Sequence, residues 1–163
     1  HWTVQDAATL YGVKEWGNGF FGINAKGHLE ITPTKDESLS CDVYEIVQYL
    51  KKKGIRTPVN LRFPQVLAHR VVEVNEAFRR AIAEFGYEGG HQGVYPVKTN
   101  QIKEVVEEIV QAGNKYHYGL EAGSKPELMI ALNMDLHPDG LRVAVAHHDR
   151  NVRIVRLAAK ATA

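Results

Sequence analysis

A chain of 163 residues with a formal net charge of +1, 44% of them hydrophobic and 24% charged, has the composition of one ordinary globular domain or of a piece of a larger one. Acids and bases are interspersed, so no basic field points to nucleic acid or a membrane surface, and the single cysteine, Cys41, excludes an intrachain disulfide and a cysteine-built zinc site. No apolar run approaches the ~20 residues of a membrane helix, and the start lacks the charged-then-apolar order of a signal peptide, so a reducing, cytoplasmic setting is expected.

Residues 2–33 are rich in glycine and aromatics and read as an irregular lead-in with one or two strands, the clearest being the alternating stretch His28-Leu-Glu-Ile-Thr. Within it, Gly17-Asn-Gly19-Phe-Phe-Gly22 matches the dinucleotide fingerprint formally, but that fingerprint needs a strand before it and a helix after it. Here a strand or turn follows, so the glycines are read as making room for aromatic packing. Residues 34–40 are polar and read as a linker. From Asp42 onward, Val43, Ile46, Val47 and Leu50 fall at helical spacing. Asp42 with Glu45 suits a capping box, and three lysines followed by Gly54 close the helix at its negative end.

A repeating unit then begins. Residues 58–63 read as a strand, and residues 65–85 as a long helix with Leu67, Val71, Val74, Phe78, Ala81, Ile82 and Phe85 on one face. Val94, Tyr95 and Val97 mark a buried strand that ends at Lys98. Residues 102–112 are a helix with Ile102, Val105, Val106, Ile109 and Val110 inward, and Glu104, Glu107 and Glu108 in solvent. Residues 116–121 are a strand. Residues 124–132 are a helix, opened by a Ser124/Glu127 capping box with Pro126 in its first turn. A fourth strand is expected over 141–146 and a fourth helix over 151–160. Strand–helix alternation with short connections implies a parallel sheet, open or closed into a barrel.

Lys98 stands out chemically. A lysine at the C-terminal end of a strand, before a loop and helix, sits where α/β barrels place their chemistry. Held against apolar walls it acts as an amine nucleophile, including in Schiff bases with pyridoxal phosphate. Glu121 ends the next strand on the same rim; it either orients Lys98 or a cofactor, or is a strand-end carboxylate satisfied by the glycine amide that follows. Arg62 ends the preceding strand; it either faces the cofactor phosphate or, more simply, bridges to a neighbouring acid. His147 and His148 are adjacent, so in a strand they point to opposite faces, and no ligand-spaced partner accompanies them; no protein-built metal site is expected.

Tyr95-Pro-Val-Lys98-Thr-Asn-Gln101 resembles the pyridoxal-lysine segment of the biosynthetic arginine decarboxylases, members of the alanine-racemase-like, barrel-type pyridoxal phosphate enzymes. The segments from Tyr11 to Asn24, from Leu61 to Pro64 and from Tyr118 to Leu128 resemble the same family, in the same order and spacing. The resemblance implies an α/β fold, a partial (β/α)₈ barrel. Residues 1–38 are the lead-in, and residues 39–163 the first part of a pyridoxal phosphate-binding barrel that takes about 250 residues when complete. It implies Lys98 as the cofactor lysine, Glu121 beside the cofactor, and decarboxylation of arginine to agmatine and carbon dioxide in polyamine biosynthesis. It also implies a homo-oligomer at full length and an association with magnesium. The family's ring-stacking residue, glycine-rich phosphate loop, acid facing the pyridine nitrogen and guanidinium-binding residues come later in the chain. The 163 residues alone are therefore expected to be an inactive N-terminal part. Residues 142–148 depart from the family's usual strand-end turn. The alternatives to the enzyme are a non-catalytic relative that binds a partner subunit and a cofactor carrier that does not decarboxylate.

Overall fold

The computed structural model describes residues 1–134 and the backbone of residues 142–146 and 152–156. They divide into two compact units, His1–Val66 and Leu67–Ala163. No helix among the described residues is long and apolar enough to cross a membrane.

The first unit opens with two short helices, α1 (Val4–Leu10) and α2 (Val13–Gly17), where an irregular segment was expected. At five and seven residues they are too short to display a hydrophobic period. A capping box starts α1: the Asp6 N–H donates to Thr3 Oγ1 and the Thr3 N–H to the Asp6 carboxylate. Gly12, in the left-handed region at φ 57°, separates the two helices. Strands β1 (Phe21–Ile23) and β2 (Leu29–Ile31) form an antiparallel hairpin with Phe21 opposite Ile31. β3 (Cys41–Asp42) adds to β2 and leads directly into α3 (Val43–Lys52). Val13, Phe20 and Ile31 are buried in this unit.

Asp42 ties the hairpin to the helix. Its Oδ1 accepts from the Glu45 N–H and caps α3, while its Oδ2 accepts from the Asn24 amide and lies 2.8 Å from His28 Nδ1. The expected box is therefore one-sided, because the Glu45 carboxylate bonds Lys26 instead. Burial opposes ionisation of Asp42. The His28, Glu45 and Asn24 hydrogen bonds and the His28 charge outweigh it and lower the carboxyl to about 2. A carboxyl lowered in the folded state contributes stability above its unfolded value near 4, and that contribution is lost as pH falls through about 2. Asp42→Ala is thus expected to lower the melting temperature by a few degrees at pH 7, with the gap to the parent closing between pH 4 and pH 2. A melting series over pH measures it.

Residues 58–63 do not form the expected strand; no described segment pairs with them, and Arg62 is exposed on an unpaired stretch rather than at a strand end. A strand exists only through its partner, and Pro58 and Pro64 bound this segment with residues that have no N–H to give.

The second unit is built on α4 (Pro64–Glu84) and a four-stranded sheet in the order β4 (Val94–Pro96), β5 (Gly119–Ala122), β6 (Arg142–Ala146), β7 (Val152–Arg156). β4, β5 and β6 are parallel, joined through α5 (Lys103–Gly113) and α6 (Lys125–Leu132). β7 runs antiparallel to β6 where a fourth helix was expected. Val152-Arg-Ile-Val-Arg156 is β-branched and short, which favours a pleated pairing with the strand just before it over a helix. His147 and His148 lie outside the described residues.

Along each parallel strand the side chains alternate between faces. Tyr95, Val97, Leu120 and Ala122 point to the helices and join Val106, Val110 and Ala131 in the core; the helix side of Tyr95 also meets Val71, Val105 and Ile109. On α4 the inward line is Leu67, Val71 and Asn75, with the Asn75 amide satisfied by the Val71 carbonyl 2.7 Å away. Val74 and Phe78, expected on that face, are exposed; Phe78 stacks on His91 with the ring centres 3.8 Å apart. Gly93 and Gly113 admit the Tyr118 side chain so closely that a Cβ at either would stand 2.1 and 2.3 Å from it. Leu120 is fully buried at the centre. Leu120→Ala is expected to destabilise this unit by about 2–5 kcal/mol through lost burial and a residual cavity, measured by denaturant unfolding.

Candidate functional site

The C-terminal ends of β4 and β5 lie side by side, with Tyr95 opposite Leu120 and Pro96 opposite Glu121. β4 ends at Pro96, two residues before Lys98. Lys98 sits in a 3₁₀ turn, Val97–Thr99, just past the strand rather than at its last position. Proline has no N–H and so cannot extend the ladder's donor pattern, and the chain tightens there. Val97, fully buried, anchors the turn from below. On the far side the Tyr95 hydroxyl donates to the Asn100 carbonyl at 3.3 Å, and Asn100 Oδ1 accepts from the Ile102 N–H ahead of α5. Burial pushes the Tyr95 phenol above its ordinary value, with the Asn100 carbonyl acting the other way, so at neutral pH the hydroxyl keeps its proton and its role as donor. The backbone around Lys98 is thus fixed at both ends, while its side chain is exposed.

Glu121 occupies β5 between Leu120 and Ala122. Since those two are buried against the helices, Glu121 projects from the other face, the one that Val94 and Pro96 share, and is half-buried. Its Oε1 comes within 3.4 Å of where a Cβ would sit on Gly123. The amide of that glycine does not serve Glu121: the Gly123 N–H donates to Glu127 Oε2 at 2.7 Å. Glu127 is buried in the first turn of α6, and its N–H donates to the capping Ser124 Oγ. The Ser124 hydroxyl first, then the Gly123 N–H, hold the Glu127 carboxyl below the usual carboxylate range against the effect of burial; the Ser124 N–H and the positive charge of Lys98 add to this.

Lys98 and Glu121, the two residues singled out from sequence, therefore lie on one edge of one sheet. Glu127 completes the group and was legible only as half of a capping box. What the sequence does not display is that its carboxylate turns back past the cap to the preceding glycine. Neither Lys98 nor Glu121 forms an ion pair among the described residues. An exposed primary amine with no ion pair among the described residues, on a turn anchored by Val97 and the Tyr95–Asn100 bond, is suited to capturing an aldehyde such as that of pyridoxal phosphate. No group of three or more metal-ligating side chains occurs among the described residues.

Comparison with known proteins gives a consistent result. The chain is 44% identical over 151 residues to the biosynthetic arginine decarboxylase of Thermosynechococcus vestitus, covering 93% of this chain and 24% of that protein. It is 47% identical over 133 residues to biosynthetic arginine decarboxylase 1 of Synechocystis, covering 82% and 19%. The crystal structure of the biosynthetic arginine decarboxylase from Campylobacter jejuni superposes with a TM-score of 0.73 at 36% identity, over 83% of this chain and 22% of that one. The chain thus spans about a quarter of the length of the curated relatives it matches. The profile of the pyridoxal-dependent decarboxylases, pyridoxal binding domain, matches residues 71–162, which include β4, Lys98, β5 and α6. The chain therefore belongs to the pyridoxal-dependent decarboxylase family, with residues 71–162 matching its pyridoxal binding domain.

Proposed function

We propose that this chain is the lysine-bearing portion of an arginine decarboxylase that uses pyridoxal phosphate to convert arginine to agmatine and carbon dioxide for polyamine synthesis. The observation that carries the reading is Lys98: an exposed amine with no ion pair among the described residues, on a turn fixed by Val97 and by the Tyr95–Asn100 bond, at the C-terminal end of a parallel strand. The names of the relatives supply the substrate. When bound, the cofactor supplies the electron sink that lets a carboxylate leave as carbon dioxide.

The chain's own residues do the holding. Lys98 provides the nitrogen for covalent attachment. Glu121, on the sheet face away from the helices, lies at the rim where it orients that nitrogen or the bound ring. Residues 1–38 form the lead-in and residues 39–163 the first part of the barrel. The complete protein is expected to be a cytoplasmic homo-oligomer, with magnesium supporting the enzyme rather than bound by these residues.

Agmatine formation from arginine by the complete gene product, supplied with pyridoxal phosphate, tests the reading. Agmatine and carbon dioxide in equal amounts support it. Cofactor capture without agmatine would favour a carrier, and no capture at all a partner-binding relative.

A further inference from the structure

Two side chains anchor the turn that carries Lys98, and packing accounts for only one of them. Val97 fills the core beneath the turn, as any buried aliphatic would. The Tyr95 ring lies among Val71, Val105 and Ile109, a setting that a phenylalanine would fill equally well. Its hydroxyl leaves that apolar contact and reaches across the turn, donating at 3.3 Å to the carbonyl of Asn100, five residues on. A partly buried hydroxyl without an acceptor costs stability, and here the acceptor lies on the far limb of the turn rather than in a neighbouring helix. Asn100 is extended, and its side chain carries the link onward: Oδ1 accepts from the Ile102 N–H at 3.0 Å. α5 starts just beyond, with no side-chain hydrogen bond from its own capping residue, Ile102. Strand, turn and helix are thus joined through these two hydrogen bonds, and Lys98 lies inside the loop that the first of them closes.

We propose that Tyr95 is a positioning residue for Lys98: its hydroxyl fixes the far limb of the turn, so that the amine is presented from one backbone conformation. Tyr95 acts through the backbone alone, because its side chain lies on the helix face of the sheet, away from the face that Glu121 shares with Val94 and Pro96. The proposal deepens the reading of Lys98 as the cofactor lysine and rests on it for its purpose, since covalent capture and turnover both need that nitrogen in one place. The hydrogen bond itself exists without cofactor, which allows the two readings to fail separately.

The test uses the complete gene product and Tyr95→Phe, which keeps the ring and removes the hydroxyl. Tyr118→Phe is the control: Tyr118 packs in the same cluster, and its hydroxyl makes no hydrogen bond to the turn among the described residues. In the cofactor-free protein, hydrogen exchange in the peptide covering residues 97–102 is expected to quicken about three- to tenfold in Tyr95→Phe, the loss of one hydrogen bond. Residues 104–112 of α5 are expected to exchange as in the parent, which separates a loosened turn from a loosened core. With pyridoxal phosphate and arginine supplied, kcat is expected to fall about three- to tenfold while KM changes less than about twofold. The melting temperature is expected to stay within about 3 degrees of the parent. Tyr118→Phe is expected to match the parent in exchange and in kcat. Unchanged exchange in Tyr95→Phe, faster exchange without a fall in kcat, or the same response in Tyr118→Phe overturns the proposal. Loss of the melting transition in Tyr95→Phe also overturns it, since the hydroxyl would then serve the core rather than the turn. A parent whose pyridoxyl group maps to another lysine contradicts the reading of Lys98 alone; the exchange comparison still decides whether Tyr95 holds the turn.

Discussion

Lys98→Ala is expected to abolish covalent attachment of pyridoxal phosphate and to lower arginine decarboxylation in the complete enzyme by about three orders of magnitude or more. Folding is expected to survive. Lys98 is exposed, makes no ion pair among the described residues, and sits in a turn whose anchors, Val97 and the Tyr95–Asn100 bond, the substitution leaves in place. Lys98→Arg is expected to fail equally, because a guanidinium stays protonated and is not an amine nucleophile. The visible absorption band of the bound cofactor, the release of carbon dioxide and a thermal melt measure the three parts. A variant that loses the band together with its melting transition would assign the loss to unfolding. One that keeps both the band and turnover would remove Lys98 from the chemistry.

The second large effect concerns the 163 residues by themselves. β4 is an outer strand of the described sheet, and the face carrying Val94, Pro96 and Glu121 is not packed by α5 or α6. Within the same unit Phe78, Phe85 and Met129 are about half exposed or more. Burying a large apolar side chain contributes roughly 1.5–3 kcal/mol, and a whole domain is stable by only ~5–15 kcal/mol. A few such side chains left wet decide whether the unit stands alone. The isolated chain is therefore expected to self-associate, to bind a dye for exposed apolar surface, and to release no carbon dioxide from arginine. Sedimentation and a radiolabel assay read these outcomes. A sharply melting monomer that turns over arginine would mean that these residues are sufficient for catalysis.

The parts of the fold most legible in the sequence were those where a local rule and the long-range packing agree. Asp42 and Ser124 cap their helices as their spacing indicates, and Val105, Val106, Ile109 and Val110 are buried while Glu104 and Glu107 are not. Two kinds of feature were not legible. One depends on a partner segment: residues 58–63 have the composition of a strand but no described neighbour to pair with, and residues 152–156 become a strand because β6 lies alongside them. The other depends on which way a side chain turns. Val74 and Phe78 keep helical spacing with Val71, yet the core accepts Asn75 instead, since its amide can return to its own helix. In the site, the type and order of Lys98 and Glu121 follow from sequence. The Glu127 carboxylate's place beside Gly123 requires the path of the β5–α6 turn.

The most direct test of the central claim is borohydride reduction of the complete protein loaded with pyridoxal phosphate, followed by peptide mapping. The account predicts a pyridoxyl group on Lys98, in the peptide that contains Tyr95-Pro-Val-Lys98-Thr-Asn. A pyridoxyl group on another lysine, with Lys98 unmodified, would contradict it.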